Sequence, residues 1–223
     1  MVKALVFDVN ETMLDLADLD QHFERVFGNV TVRREWFSLV LRNALTLTTI
    51  GAYEDFAMVA GASLDMMAAV HNVTLTEDDR TSIATQMTEL RPHGDVAESL
   101  TMLRRAGPVL VALTNSPPEV ANKQLDNAGL ATFFDHILSV HAVGQFKPHP
   151  AVYGYASTSI GISLDEMMMV AAHDWDIAGA MAAGMQGAYV LRPGMARNPL
   201  FPEPTIVAES MTEIAANVIA GSF

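Results

Sequence analysis

The sequence predicts an α/β protein: a doubly wound, mostly parallel, Rossmann-like sheet carrying an inserted helical segment. Three observations lead there. Short apolar runs of strand length (Val2 to Phe7, Val109 to Leu113, Met167 to Ala172) alternate with stretches of helix length. Each run stops at polar residues, as buried parallel strands do where they deliver groups to a crevice beyond their carboxyl ends. Between about Asp15 and Leu90 the strand signals give way to helical periodicity. The expected division is therefore a core made of residues 1–14 and 91–223 and a helical cap of residues 15–90, hinged near Leu14 to Leu16 and Leu90 to Gly94.

In chain order, Val2 to Phe7 is the first strand, and Asp8 stands where it ends. A carboxylate there is costly to desolvate and faces the crevice. Taken alone it suits a nucleophile or a helix cap equally. Arg33 to Leu47 carries Trp36, Phe37, Val40, Leu41, Ala44 and Leu47 at helical spacing. Tyr53 to Val70 and Glu77 to Leu90 read as further helices, the second opening on Thr76 with acids in its first turn. Arg91 to Asp95 breaks the pattern, Asp95 to Ala106 is helical, and Val109 to Leu113 is a buried strand ending in Thr114-Asn115-Ser116. Helix Pro117 to Ala128, strand Phe134 to Val140 and helix Ala151 to Ile160 follow. Strand Met167 to Ala172 then runs into His173-Asp174-Trp175-Asp176, and helix Ile177 to Ala183 and strand Ala188 to Leu191 complete the order.

Composition narrows the function. Thirteen basic against 26 acidic residues leave a formal charge of -13, which disfavours nucleic acid and anionic membrane surfaces. A small anionic substrate would then need local positive charge, for which Lys147 and Arg42 are available. The absence of cysteine removes thiolate catalysis and cysteine-ligated metals. No apolar run reaches membrane-spanning length, so a cytoplasmic location is expected. The fourteen methionines suit core and cap packing better than copper binding.

Four strand ends thus send polar groups to one crevice: Asp8 and Thr12, Thr114 and Asn115, Lys147, and His173 with Asp176. In the stretches Phe7-Asp8-Val9-Asn10-Glu11-Thr12, Leu113-Thr114-Asn115-Ser116, Phe146-Lys147-Pro148 and Val170 to Asp176, the chain resembles the haloacid dehalogenase superfamily over nearly its whole length. Phosphatases of that superfamily carry an acid two positions after the nucleophile to protonate a leaving alkoxide. This chain has Asn10 there, and a halide needs no proton. Trp175 before Asp176 is also similar to the L-2-haloacid dehalogenase branch.

The resemblance implies that Asp8 displaces halide from C2 and forms an aspartyl ester that water hydrolyses. It places Lys147 beside Asp8, with a solvent-facing loop lysine as the alternative. Thr114 and Asn115 would bind the substrate carboxylate, Thr12 and Asp176 would complete the catalytic set, and Asn10 would line the substrate site. Tyr153 is either a site residue or a buried tyrosine bonded to backbone. Trp175 is either a substrate contact or core. Serine and asparagine of the best-known dehalogenases are replaced by Ala171 and His173. His173 is then a neutral base for the hydrolytic water or a structural histidine paired with Asp174 or Asp176. Phe37 stands where the family has a halide-binding arginine after Trp36, leaving that task to Arg42, or to Asn115 and aromatic edges. The expected activity needs no metal or cofactor, takes a small-molecule substrate and accompanies a possible homodimer. The alternatives are a magnesium-dependent phosphatase using Asp8, Asp176 and Asp174, and a non-enzymatic scaffold.

Overall fold

The computed structural model describes residues 2–221, so residues 1, 222 and 223 of the expected core lie outside the described part. Six strands form one parallel sheet: β1 (Ala4–Phe7), β2 (Val109–Thr114), β3 (His136–Ser139), β4 (Met167–Ala171), β5 (Gln186–Val190) and β6 (Ile206–Ala208). Their order is β3-β2-β1-β4-β5-β6. The central pair explains the continuous apolar runs, since every residue of β1 and β4 is fully buried and covered on both sheet faces. Phe7 is in register with Ala112 of β2 on one side and Val170 of β4 on the other. The chain winds outward in opposite directions from β1 and β4, so the crevice between their carboxyl ends is where a doubly wound sheet binds ligands.

Helices α5 (Val96–Ala106), α6 (Pro118–Asn127), α7 (Pro150–Ile160), α8 (Asp174–Ala182) and α9 (Met211–Ala220) flank the sheet. α5 packs on α9, and α8 packs on β4, β5 and α7. Between β1 and α5 lies the inserted helical cap: α1 (Asp20–Phe27), α2 (Val32–Thr49), α3 (Phe56–His71) and α4 (Glu77–Met87). These helices pack on one another and join the apolar core of the sheet. The Trp36 indole donates to the Ala60 carbonyl (3.0 Å) while its ring packs on Phe23 at a centroid separation of 5.3 Å. The expected start of α4 is a capping box between Thr76 and Asp79. The two chain crossings beside the cap bond to each other, Asp15 N–H to the Arg91 carbonyl and His93 N–H to the Met13 carbonyl, both at 2.9 Å.

Three elements go beyond the sequence reading: α1, β6 and α9. The eight residues of α1 and the three residues of edge strand β6 are too short to impose a periodicity. α8 begins at Asp174, three residues earlier than expected, because Asp174 and Asp176 in its first turn favour the positive end of the helix dipole.

Candidate active site

Asp8 is the first residue past β1, its N–H bonded to the Val170 carbonyl of β4 (3.1 Å), so the side chain leaves the sheet at the switch point. The carboxylate is nearly buried and divides its oxygens between two sets of donors. Oδ1 accepts from the Lys147 ammonium at 2.7 Å. Oδ2 accepts from the Thr12 hydroxyl at 2.7 Å and lies 2.9 Å from His173 Nδ1. Thr12 in turn accepts the Ala172 N–H (2.9 Å), which aims its single proton at Asp8.

Lys147 is fully buried, and its ammonium also donates to Asp176 Oδ2 (2.7 Å) and to the Leu113 carbonyl (3.1 Å). All three of its protons are therefore used. Two local features set it there. Asn115 Oδ1 accepts the Lys147 backbone N–H at 3.1 Å. Gly179 lets α8 approach closely, since a Cβ at that position would lie 2.3 Å from Pro148 Cβ and 2.8 Å from the Tyr153 hydroxyl. That hydroxyl donates to Asp176 Oδ1 at 2.7 Å.

Burial alone would raise Asp8, but Lys147 and His173 outweigh it and hold the carboxyl far below the usual range. Burial likewise opposes the Lys147 charge, and the two carboxylates overcome it, so the ammonium is held above its ordinary value. Asp176 is pushed upward by burial and by the Asp8 charge despite Lys147. Burial, then the Asp176 charge, keeps Tyr153 a neutral phenol.

His173 differs from its expected pairing. Its ring is paired with neither Asp174 nor Asp176: Nδ1 faces Asp8, and Nε2 faces Glu11 Oε2 at 3.1 Å. Burial would lower its pKa, yet the bonds to Asp8 and Glu11 raise it to about 10, which favours the imidazolium. Glu11 occupies a left-handed backbone conformation (φ 60°). Its other oxygen lies 3.7 Å from Arg33 of α2, which pairs with Asp20 at 2.5 Å.

The remaining expected residues fall into two groups. Asn10 and Thr114 are engaged in local structure: Asn10 Oδ1 accepts from Gln124 (3.1 Å), its amide nitrogen faces Ser116 (3.5 Å), and Thr114 Oγ1 accepts the Ser116 N–H (3.1 Å). Trp175 and Arg42 instead line a cavity of about 540 Å³, together with Glu11, Phe37, Leu41 and His173. Arg42 shares a face of α2 with Phe37 and Arg34, while Trp36 turns into the cap interior. Among the described residues, neither Arg34 nor Arg42 makes an ion pair, so both add positive charge to this rim of an acidic protein. The His173 ring lies between Trp175 (5.0 Å, stacked) and Phe37 (6.3 Å).

Sequence reasoning missed Glu11, Arg33 and Arg192. Arg192 donates twice to the Thr12 carbonyl (3.1 and 3.0 Å) and once to Asp95 (2.9 Å), bracing the Asp8 loop from beyond β5. The only signal for Glu11 was a large charged side chain inside a turn. For Arg33 and Arg192 there was none, because their partners are distant in sequence. Among the described residues, no three His, Asp or Glu side chains are grouped to hold a metal ion, and no helix is long and apolar enough to cross a membrane.

The family model for haloacid dehalogenase-like hydrolases matches residues 2–184. The chain is 25% identical over 215 residues to haloacetate dehalogenase H-2 of Moraxella sp., covering 96% of each protein. It is 28% identical over 197 residues to the (S)-2-haloacid dehalogenase of Xanthobacter autotrophicus, covering 86% of this chain and 76% of that one. The structure of the L-2-haloacid dehalogenase from Xanthobacter autotrophicus with chloropropionic acid covalently bound superposes with a TM-score of 0.93 at 24% identity, over 100% of both chains. With the family model covering the strand ends that carry Asp8, Lys147 and Asp176, the chain belongs to the haloacid dehalogenase-like hydrolases.

Proposed function

We propose that this protein hydrolyses short L-2-haloacids to 2-hydroxyacids through an aspartyl ester on Asp8. The observation that carries the reading is the Asp8 carboxylate itself: ionised, nearly buried, at the switch point and beside the Lys147 ammonium at 2.7 Å. A nucleophilic carboxylate must stay charged yet poorly hydrated, and this pairing does both. Asp8 attacks C2 opposite the halogen, inverting that carbon as the halide leaves with the bonding pair. Water then attacks the Asp8 carbonyl carbon and releases the hydroxyacid.

Asn10 supports halide over phosphate chemistry. Its amide accepts from Gln124 and faces Ser116, so it serves as an amide in a network and offers no acid to a departing alkoxide. Asp176 supports the same reading, because its oxygens are taken by Lys147 and Tyr153. The positive charge beside the nucleophile comes from Lys147, so the reading includes no metal or cofactor. Asn115 keeps its amide N–H groups for the substrate carboxylate, with the Thr114 hydroxyl beside it, and Trp175, Tyr153 and the Arg42 rim complete the surroundings. A cap of residues 15–90 that closes over the crevice, a cytoplasmic location and a homodimer belong to the same reading. The dimer is supported by Met58, Met66 and Val70 exposed along α3.

The test measures halide and phosphate release in parallel from both enantiomers of 2-chloropropionate and from a panel of phosphate esters, with and without chelator. Halide from the L enantiomer, indifferent to chelator and abolished by Asp8→Asn, is expected. Magnesium-dependent phosphate release without halide would overturn the proposal.

A further inference from the structure

We propose that His173 and Thr12 form the receptor for the negative charge that develops on Asp8 Oδ2 when water attacks the ester, and that Glu11 is the positioning residue that keeps the His173 ring donating. This rests on the dehalogenase reading and assigns the water step of that reaction.

The two Asp8 oxygens are not equivalent. Oδ1 meets only the Lys147 ammonium, whereas Oδ2 meets the Thr12 hydroxyl at 2.7 Å and the His173 ring at 2.9 Å. In the ester, one oxygen carries C2 and the other becomes the carbonyl oxygen on which an oxyanion forms. Two preorganised donors at 2.7–2.9 Å on one oxygen are the arrangement that stabilises such an anion, so Oδ1 is the attacking atom and Oδ2 the carbonyl oxygen. Both neighbours of the His173 ring are carboxylates, which accept only, so both ring nitrogens must donate. Glu11 supplies the partner on the far nitrogen from a left-handed backbone that ordinarily favours glycine, an outlier that points to a task for its side chain. Trp175 and Phe37 hold the plane of the ring and shield it.

The step balances as follows. Oδ1 bonds to C2 as the carbon–halogen bond breaks and halide leaves. Water oxygen bonds to Cγ, and the carbonyl electron pair moves onto Oδ2 against Thr12 and His173. The Cγ–Oδ1 bond then breaks, Lys147 gives a proton to the departing Oδ1, one proton of the attacking water restores Lys147, and the other passes to solvent, so that Asp8 returns as the carboxylate.

The groups that set the charge of His173 are few. Asp8 at the end of β1 and Glu11 in the loop after it favour the imidazolium. Lys147 lies beyond Asp8, Arg33 of α2 and His93 beyond Glu11, and Asp174 opens α8 next to the ring. A donor and a base make opposite predictions: donation is lost as pH rises through the His173 titration, whereas general-base action is gained.

The experiment compares the wild-type protein with Glu11→Gln and Glu11→Gly, the second chosen because glycine suits the left-handed backbone. Rapid quench with L-2-chloropropionate from pH 6 to 10.5 follows halide and hydroxyacid separately, and NMR of the ring nitrogens titrates His173 in the substrate-free protein. Both variants should keep a halide burst of about one per site while hydroxyacid formation at pH 8 falls by up to roughly 10-fold, less than the loss for deleting an oxyanion donor outright. The alkaline limb and the His173 titration should both move down by roughly one to three units. A hydrolytic step that quickens with pH, or a His173 titration unmoved by both variants, would overturn the proposal. Absence of halide from the wild-type protein would sink the dehalogenase reading instead, and the NMR titration would still decide whether Glu11 sets the state of the ring.

Discussion

Replacing Lys147 by Met keeps a long, buried, unbranched side chain and removes the charge with its three donated hydrogen bonds. In the wild-type protein that charge sits 2.7 Å from both Asp8 and Asp176 on a fully buried side chain. Without it, two carboxylates face each other in a site where burial disfavours ionisation. Leaving a buried charge without its partner costs about 3–5 kcal/mol. The variant has an escape, because one carboxyl can take up a proton, and that sets the pH dependence. Its deficit in urea unfolding at 25 °C should be full at pH 7 and smaller at pH 5, where protonation relieves the pair. Activity has no such escape, since a protonated Asp8 is no nucleophile. A shift that carried the Asp8 titration about two units above the assay pH would alone cost about 100-fold in halide release. A destabilisation below about 1 kcal/mol at both pH values, with near-normal halide release, would refute the reasoning and remove Lys147 from the site.

Three further outcomes are expected. Gly179→Ala should cost about 1–3 kcal/mol in urea unfolding, because its methyl would overlap Pro148 and the Tyr153 hydroxyl; unchanged stability would mean that α8 yields freely. Glu11→Ala and Glu11→Gly both lose the carboxylate, yet only alanine retains the left-handed penalty, so the alanine variant should be less stable by roughly 1–2 kcal/mol; equal stabilities would count against a strained Glu11. Stability should also fall as pH rises from 6.5 to 10. His173, raised to about 10, contributes fully below its ordinary value and loses that contribution on the way up, while depressed Asp8 contributes above the usual carboxylate range and loses it as pH falls. His173→Asn should flatten the alkaline arm.

Much of the fold was legible because β1, β2 and β4 are buried on both faces, which forces continuous apolar runs that end at the crevice. That same rule exposed Asp8, Thr114 and His173 as strand-end residues. Asp176 and Lys147 were readable from their motifs, but their contact with each other was not, since Gly179 and Asn115 bring the Lys147 loop onto α8. The surroundings of His173 escaped for a different reason. A histidine is a base or an imidazolium according to how many acceptors meet its ring, and Glu11 meets it across a separation of 162 residues. Glu11 itself looked like an ordinary turn residue, because glutamate, unlike glycine, gives no sign of a left-handed φ. Edge strand β6, three residues long, was invisible for want of a long enough pattern.

The covalent ester on Asp8 is the central claim, and one turnover in heavy-oxygen water with enzyme in excess tests it most directly. Water attack at Cγ should place the label in the peptide that contains Asp8, with the first hydroxyacid released unlabelled at its new hydroxyl. Label appearing in that first hydroxyacid, with none in Asp8, would contradict the account.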